Sequence, residues 1–169
     1  MAVELSQRWI RRGLPEEVPA SAAGPSLSFL LDTNVISELR KGPNTHPNVL
    51  AWFAPIASDD VWLSVLVVGE IRRGIETIRR RAPRQAGVLE HWLARLLRDH
   101  GERVLPIDRA VAEAWGRLDA RRTTSVIDGL LAATALVHGL TLVTRNVRDV
   151  EWTGVPCLNP FERPARPDA

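Results

Sequence analysis

Short apolar runs alternate along this chain with longer stretches whose apolar residues recur at helical spacing. That alternation constrains the fold more than any other feature. The runs are Ser28-Phe29-Leu30-Leu31, Asp60-Val61-Trp62-Leu63-Ser64, Arg103-Val104-Leu105-Pro106-Ile107, Leu140-Thr141-Leu142-Val143-Thr144 and the shorter Val155-Pro156-Cys157-Leu158. A strand covered on both faces reads as an unbroken apolar run of this kind. Between the runs the spacing predicts helices over 35–40, 47–54, 66–80, 83–100, 108–120 and 126–138. Ile71, Ile75 and Ile78 mark the buried face of the third; Val88, Trp92, Leu93, Leu96 and Leu97 form the stripe of the fourth. Asp108 and Ser125 stand where helix N-caps belong, and Gly139 stands where a helix would close through a left-handed residue. Strands alternating with helices predict an α/β fold, a parallel sheet with helices on both faces and right-handed crossovers.

Residues 1–27 break the pattern. Positions 13–26 are rich in Pro, Gly, Ala and Ser and cannot bury enough apolar surface to order themselves. The expected organisation is a loose extension over 1–27, one folded unit over 28–162 and a loose tail over 163–169. The lone cysteine, Cys157, excludes an intramolecular disulfide and fits a reducing cytoplasm. No stretch approaches the roughly 18 uncharged apolar residues of a membrane helix. Of 22 basic residues all but Lys41 are arginine. Arginine suits phosphate through its planar donor fork, although a GC-rich coding bias gives the same excess. A net charge of +2 does not by itself establish a nucleic-acid partner.

The acids are more informative. Asp32 lies just past the first run and Asp149 a few residues past the fourth. Open parallel sheets bind ligands beyond the carboxyl ends of their strands, where strand order reverses. If the order is 3-2-1-4-5, strands one and four are neighbours and Asp32 and Asp149 flank one crevice. Glu70 falls early in the helix after strand two, where Gly69 and Gly74 would allow close backbone approach. Asp128 falls near the start of a helix apolar almost all round, which should be buried, so the acid needs a partner. Each acid alone has an ordinary reading: Asp32 a helix N-cap, Glu70 a solvated helix charge, Asp128 a helix-dipole partner, Asp149 a turn residue. Together, four carboxylates in one crevice repel one another, and oxygen ligands of this kind suit Mg²⁺ or Mn²⁺ rather than zinc. No Cys/His cluster, phosphate-binding glycine loop or serine nucleophile motif competes. Trp52, Trp92 and Trp115 lie on apolar helix faces and read as core or subunit contacts.

Phe29-Leu30-Leu31-Asp32-Thr33-Asn34-Val35-Ile36-Ser37-Glu38 resembles the opening of PIN-domain proteins. Ser64 to Gly74 with Glu70, then Asp128-Gly129-Leu130-Leu131-Ala132-Ala133-Thr134-Ala135, and Thr144-Arg145-Asn146-Val147-Arg148-Asp149 continue the resemblance in order. It is strongest to the VapC toxins, in their FitB-like branch, including the ending Leu158-Asn159-Pro160-Phe161; Val150 departs where a Phe is common. The resemblance implies a PIN fold with sheet order 3-2-1-4-5. It implies a Mg²⁺-dependent endoribonuclease, with Mn²⁺ able to substitute, acting as the toxin of a type II toxin–antitoxin pair. Asp32 and Asp128 would ligate metal, Glu70 and Asp149 would complete the acidic site, and Asn34, Thr144 and Asn146 would support it. The products would carry a 5′-phosphate and a 3′-hydroxyl. The implied partners are an RNA substrate, a VapB- or FitA-like antitoxin whose extended C-terminal segment lies over the toxin, and a second copy in a homodimer. DNA would be reached only through the antitoxin, no membrane is involved, and the expected setting is the cytoplasm. Of 20 acids, setting the four site acids aside leaves 16 against 22 bases, a surface basic enough to attract RNA.

Two other classes compete. A phosphorylated receiver domain would need paired acids after strand one and a late lysine, whereas Asp32 has no acid beside it and Lys41 is early. A catalytically inactive PIN-fold binding module is the nearer alternative, and the presence of all four acids argues against it.

Overall fold

The computed structural model describes residues 28–122 and 125–162; the segments 1–27 and 163–169, expected to be loose, lie outside the described residues. The five strands are β1 (Phe29–Leu31), β2 (Val61–Ser64), β3 (Val104–Leu105), β4 (Thr141–Val143) and β5 (Cys157–Leu158). All pair in parallel, in the order β3-β2-β1-β4-β5. Among the described residues the helices are α1 (Thr33–Leu39), α2 (Pro47–Phe53), α3 (Val65–Arg79), α4 (Pro83–His100), α5 (Arg109–Asp119), α6 (Val126–His138) and α7 (Val147–Val150).

Local chemistry sets most of these bounds. Ser64 Oγ accepts from Leu66 N at 3.2 Å and Asp108 Oδ1 from Val111 N at 2.9 Å, so α3 and α5 begin where their caps stand. Pro47 and Pro83 open α2 and α4, where a missing N–H costs nothing. Gly139 ends α6 at φ +65°, a conformation that penalises any Cβ. The helix α7 is absent from the pattern reading of the sequence, because four residues carry no periodicity.

Leu30, Leu31, Leu63, Leu142 and Val143 form the buried centre of the sheet, and Val35, Val49, Val67, Ile75, Leu93 and Leu131 cover it. A second cluster, Val111, Leu118 and Ala133, joins α5 to α6 and gathers Trp115 and Trp152. Trp52 packs edge-on against Phe29 with ring centroids 5.4 Å apart, and Trp92 packs against the main core, as expected of core residues. Val150 is buried in the same core.

Four expectations need correction. Val88 is 67% exposed, because the buried face of α4 at that end runs through Ala86, Leu89 and Leu93 and Val88 lies off it. The helix α6 is buried only through its middle, and Val126, Leu136 and Val137 are exposed at its two ends. A Cβ at Gly69 or Gly74 would meet nothing within 4 Å, so neither glycine serves a close approach. Ser125 occupies the N-cap position of α6 but its hydroxyl makes no capping bond. No helix among the described residues is long and apolar enough to cross a membrane.

Candidate active site

Strand register builds the site. Leu31 pairs with Val143, so Asp32 and Thr144 emerge side by side at the carboxyl ends of two adjacent central strands. The ladder continues through them: Asp32 N donates to the Val143 carbonyl and Thr144 N to the Leu158 carbonyl, each at 3.0 Å. Asp32 is 7% exposed. Its Oδ1 accepts from Thr33 N at 2.6 Å, and its Oδ2 accepts from the Thr144 hydroxyl and the Asn34 amide, both at 2.6 Å. Asn34 Oδ1 in turn accepts from Arg145 N at 3.1 Å, tying the loop after β4 to α1. Thr144 Oγ1 also accepts from Asn146 N at 3.0 Å. Asn146 therefore contributes through its backbone, and its carbonyl accepts from Asp149 N at 3.1 Å.

The other acids approach from three helices. Glu70, half-buried on α3, accepts from the Thr33 hydroxyl at 2.5 Å. Asp128 is half-buried in the first turn of α6, where the nearby Ser125 side chain favours its ionised form. Asp149 lies exposed in α7, and its carbonyl accepts from the Trp152 indole N–H at 2.9 Å. Thr33 was not singled out from the sequence, and Ser125 only as a helix cap. Each sits beside an acid or within a turn of one, but only the tertiary packing of α3 brings Glu70 to Thr33.

Electrostatics couple the four. Burial pushes the Asp32 carboxyl above the ordinary aspartate value; the Thr144 and Thr33 N–H hydrogen bonds oppose this, and repulsion from Glu70 and Asp128 adds to it. Burial likewise raises Asp128, opposed by Ser125 and reinforced by Asp149 and Glu70. Glu70 thus acts on both raised acids, and Asp149 joins through Asp128. Among the described residues no Arg, Lys or His forms an ion pair with any of them. Nor, among those residues, are three His, Cys, Asp or Glu side chains gathered tightly enough to hold an ion as they stand. The donor set is nevertheless entirely hard oxygen, the kind that Mg²⁺ and Mn²⁺ take.

The raised acids give a pH dependence of defined sign. A folded carboxyl above its unfolded value contributes stability that is fully present below the unfolded value and lost as pH rises through the folded one. In chelator, Asp128→Asn is therefore expected to melt above wild type at neutral pH. The gain should vanish on acidification below the ordinary value of 3.8, where the wild-type group is itself neutral. Paired melting curves across pH check this; a variant no more stable at neutral pH would contradict it.

Comparison with known proteins agrees with the fold. The PIN domain model matches residues 29–150, a span that includes all four acids. Toxin FitB of Neisseria gonorrhoeae is 35% identical over 140 residues, 79% of this chain and 98% of FitB. VapC ribonuclease Y4jK of Sinorhizobium fredii is also 35% identical over 140 residues, with the same coverage of both chains. The crystal structure of FitAcB from Neisseria gonorrhoeae superimposes with a TM-score of 0.72 at 32% identity, covering 80% of this chain and 99% of that one. The chain belongs to the PIN domain family.

Proposed function

We propose that this protein is a divalent-metal-dependent endoribonuclease and the toxin of a type II toxin–antitoxin pair. The observation that carries the reading is that the β1–β4 register sets Asp32 beside Thr144 at the strand ends, with Glu70 brought in from α3 onto the adjacent Thr33 hydroxyl and no basic partner for either acid among the described residues. The similarity to a FitB toxin and a VapC ribonuclease supports it.

In this reading Asp32 and Asp128 hold the cation, with Glu70 and Asp149 completing the acidic site, and Mg²⁺ is the favoured ion with Mn²⁺ as substitute. A bound cation supplies charge stabilisation at the phosphoryl oxygens and a more acidic water. The chain's own part is positional. Thr33 N, Asn34 and Thr144 each donate to Asp32, which fixes its rotamer and favours the ionised form that a metal needs. Thr33 holds Glu70 through its hydroxyl. Thr144→Val keeps the shape but removes the hydroxyl between Asp32 and Asn146 N, and is expected to weaken metal affinity or activity by about 10–100-fold. A metal titration of cleavage by the variant reads this directly.

RNA is the substrate in this reading, and a VapB- or FitA-like antitoxin masks the site. DNA contact comes through that antitoxin, and the setting is the cytoplasm. A homodimer fits the exposed Val88 on the Trp92-bearing helix. The test is incubation of purified protein with RNA and added Mg²⁺ or Mn²⁺, with and without chelator. Internal cleavage that stops in chelator is expected. Cleavage indifferent to chelator, or none with either ion, would overturn the proposal.

A further inference from the structure

We infer that Arg122 and Arg145 bind the RNA backbone beside the acidic crevice, a deepening that rests on the nuclease reading above. A polyanion approaching four carboxylates is repelled, so productive binding needs fixed positive charge beside them. Arg145 directly follows Thr144, and its own N–H is held by Asn34 Oδ1 at 3.1 Å. Its guanidinium lies over the Phe161 ring, 4.9 Å from the centroid. Arg122 follows α5, with its guanidinium 5.7 Å from the centroid of Trp152. Trp152 is the residue whose indole N–H holds the Asp149 carbonyl. Each arginine is thereby stacked on an aromatic ring and anchored to a segment that carries a site residue.

Stacking occupies the face of a guanidinium and leaves its N–H edge free for a phosphate, with little further freedom to lose on binding. Both arginines are exposed, and among the described residues neither forms an ion pair. By contrast Arg72, Arg79, Arg103, Arg109 and Arg117 are each bridged to a carboxylate. Arg40 is stacked too, over Trp92, but it caps the far end of α1 from Asp32 and serves as a control. A phosphodiester chain carries an anionic group at every linkage, so two fixed cations beside the acids can each engage a phosphate near the bond to be cut.

The experiment measures binding of a short oligouridine across a salt series in chelator, in an Asp128→Asn background that prevents cleavage. Against single strands, each phosphate contact contributes about 0.7 to the slope of log affinity on log salt. Arg122→Gln and Arg145→Gln should each lower that slope by roughly 0.7, and the double variant by about 1.4, while Arg40→Gln leaves it unchanged. With Asp128 restored, the double variant should show a raised KM and a retained kcat. An unchanged slope in the double variant overturns the inference, as does an affinity loss that is the same at every salt concentration. RNA cleavage by the wild-type chain is scored separately. Cleavage with an unchanged slope rejects the arginines alone, and the expected slope change without cleavage rejects the nuclease reading alone.

Discussion

Asp32→Ala is expected to lower RNA cleavage by about three orders of magnitude or more, since metal charge stabilisation is worth several kcal/mol and each 1.36 kcal/mol is tenfold in rate. The fold should survive. Removing the carboxylate leaves the Thr144 hydroxyl and the Asn34 amide without their shared acceptor, but it also removes a buried charge repelled by Glu70 and Asp128. The two effects oppose, so the melting temperature should move by only a few degrees. Asp32→Asn is the less clean variant: all three partners of the carboxylate are donors, and an amide N–H₂ must face at least one of them. Cleavage near the wild-type rate in well-folded Asp32→Ala protein would remove Asp32 from the site.

Leu30→Ala is expected to give the largest loss of stability. Leu30 is fully buried at the centre of the sheet, paired with Trp62 on one side and Leu142 on the other. Truncating such a leucine costs about 2–5 kcal/mol, or roughly 5–15 °C in a domain of this size. The consequence for function is mechanical. The same β1–β4 register that buries Leu30 sets Asp32 beside Thr144, so cleavage should fall in step with the folded fraction on warming. Thermal melts and cleavage at matched temperatures check both halves; a melting temperature within a degree of wild type would contradict the packing argument.

What the sequence made legible follows from how local each feature is. The strands and the placement of Asp32 at the end of β1 were open to reading, because buried parallel strands leave unbroken apolar runs and the acids stand at their ends; the strand order came with the resemblance to PIN-domain proteins. The bounds of α4 and α6 were legible from Pro83 and Gly139, whose backbone chemistry acts in place. Periodicity, however, reports which face of a helix is apolar and not what covers it. Val88 belongs to the stripe of α4 yet lies exposed, and the ends of α6 are exposed for the same reason. The support of the acids was the least legible part. Thr33 reaches Glu70 across 37 positions, and no local pattern encodes such a distance; Thr144, which reaches Asp32 across 112, was named only through the family resemblance. Ser125 shows the reverse error: a residue type and position that predict a cap make no capping bond.

The central claim is that Asp32, Glu70, Asp128 and Asp149 act as one cation site. Calorimetric titration of Mn²⁺ into the wild-type protein and into Asp128→Asn tests it without reference to any substrate. Saturable binding by the wild type, lost or strongly weakened in the variant while its melting temperature in chelator at neutral pH is higher, is the predicted result. Equal Mn²⁺ affinity in the two proteins would contradict it.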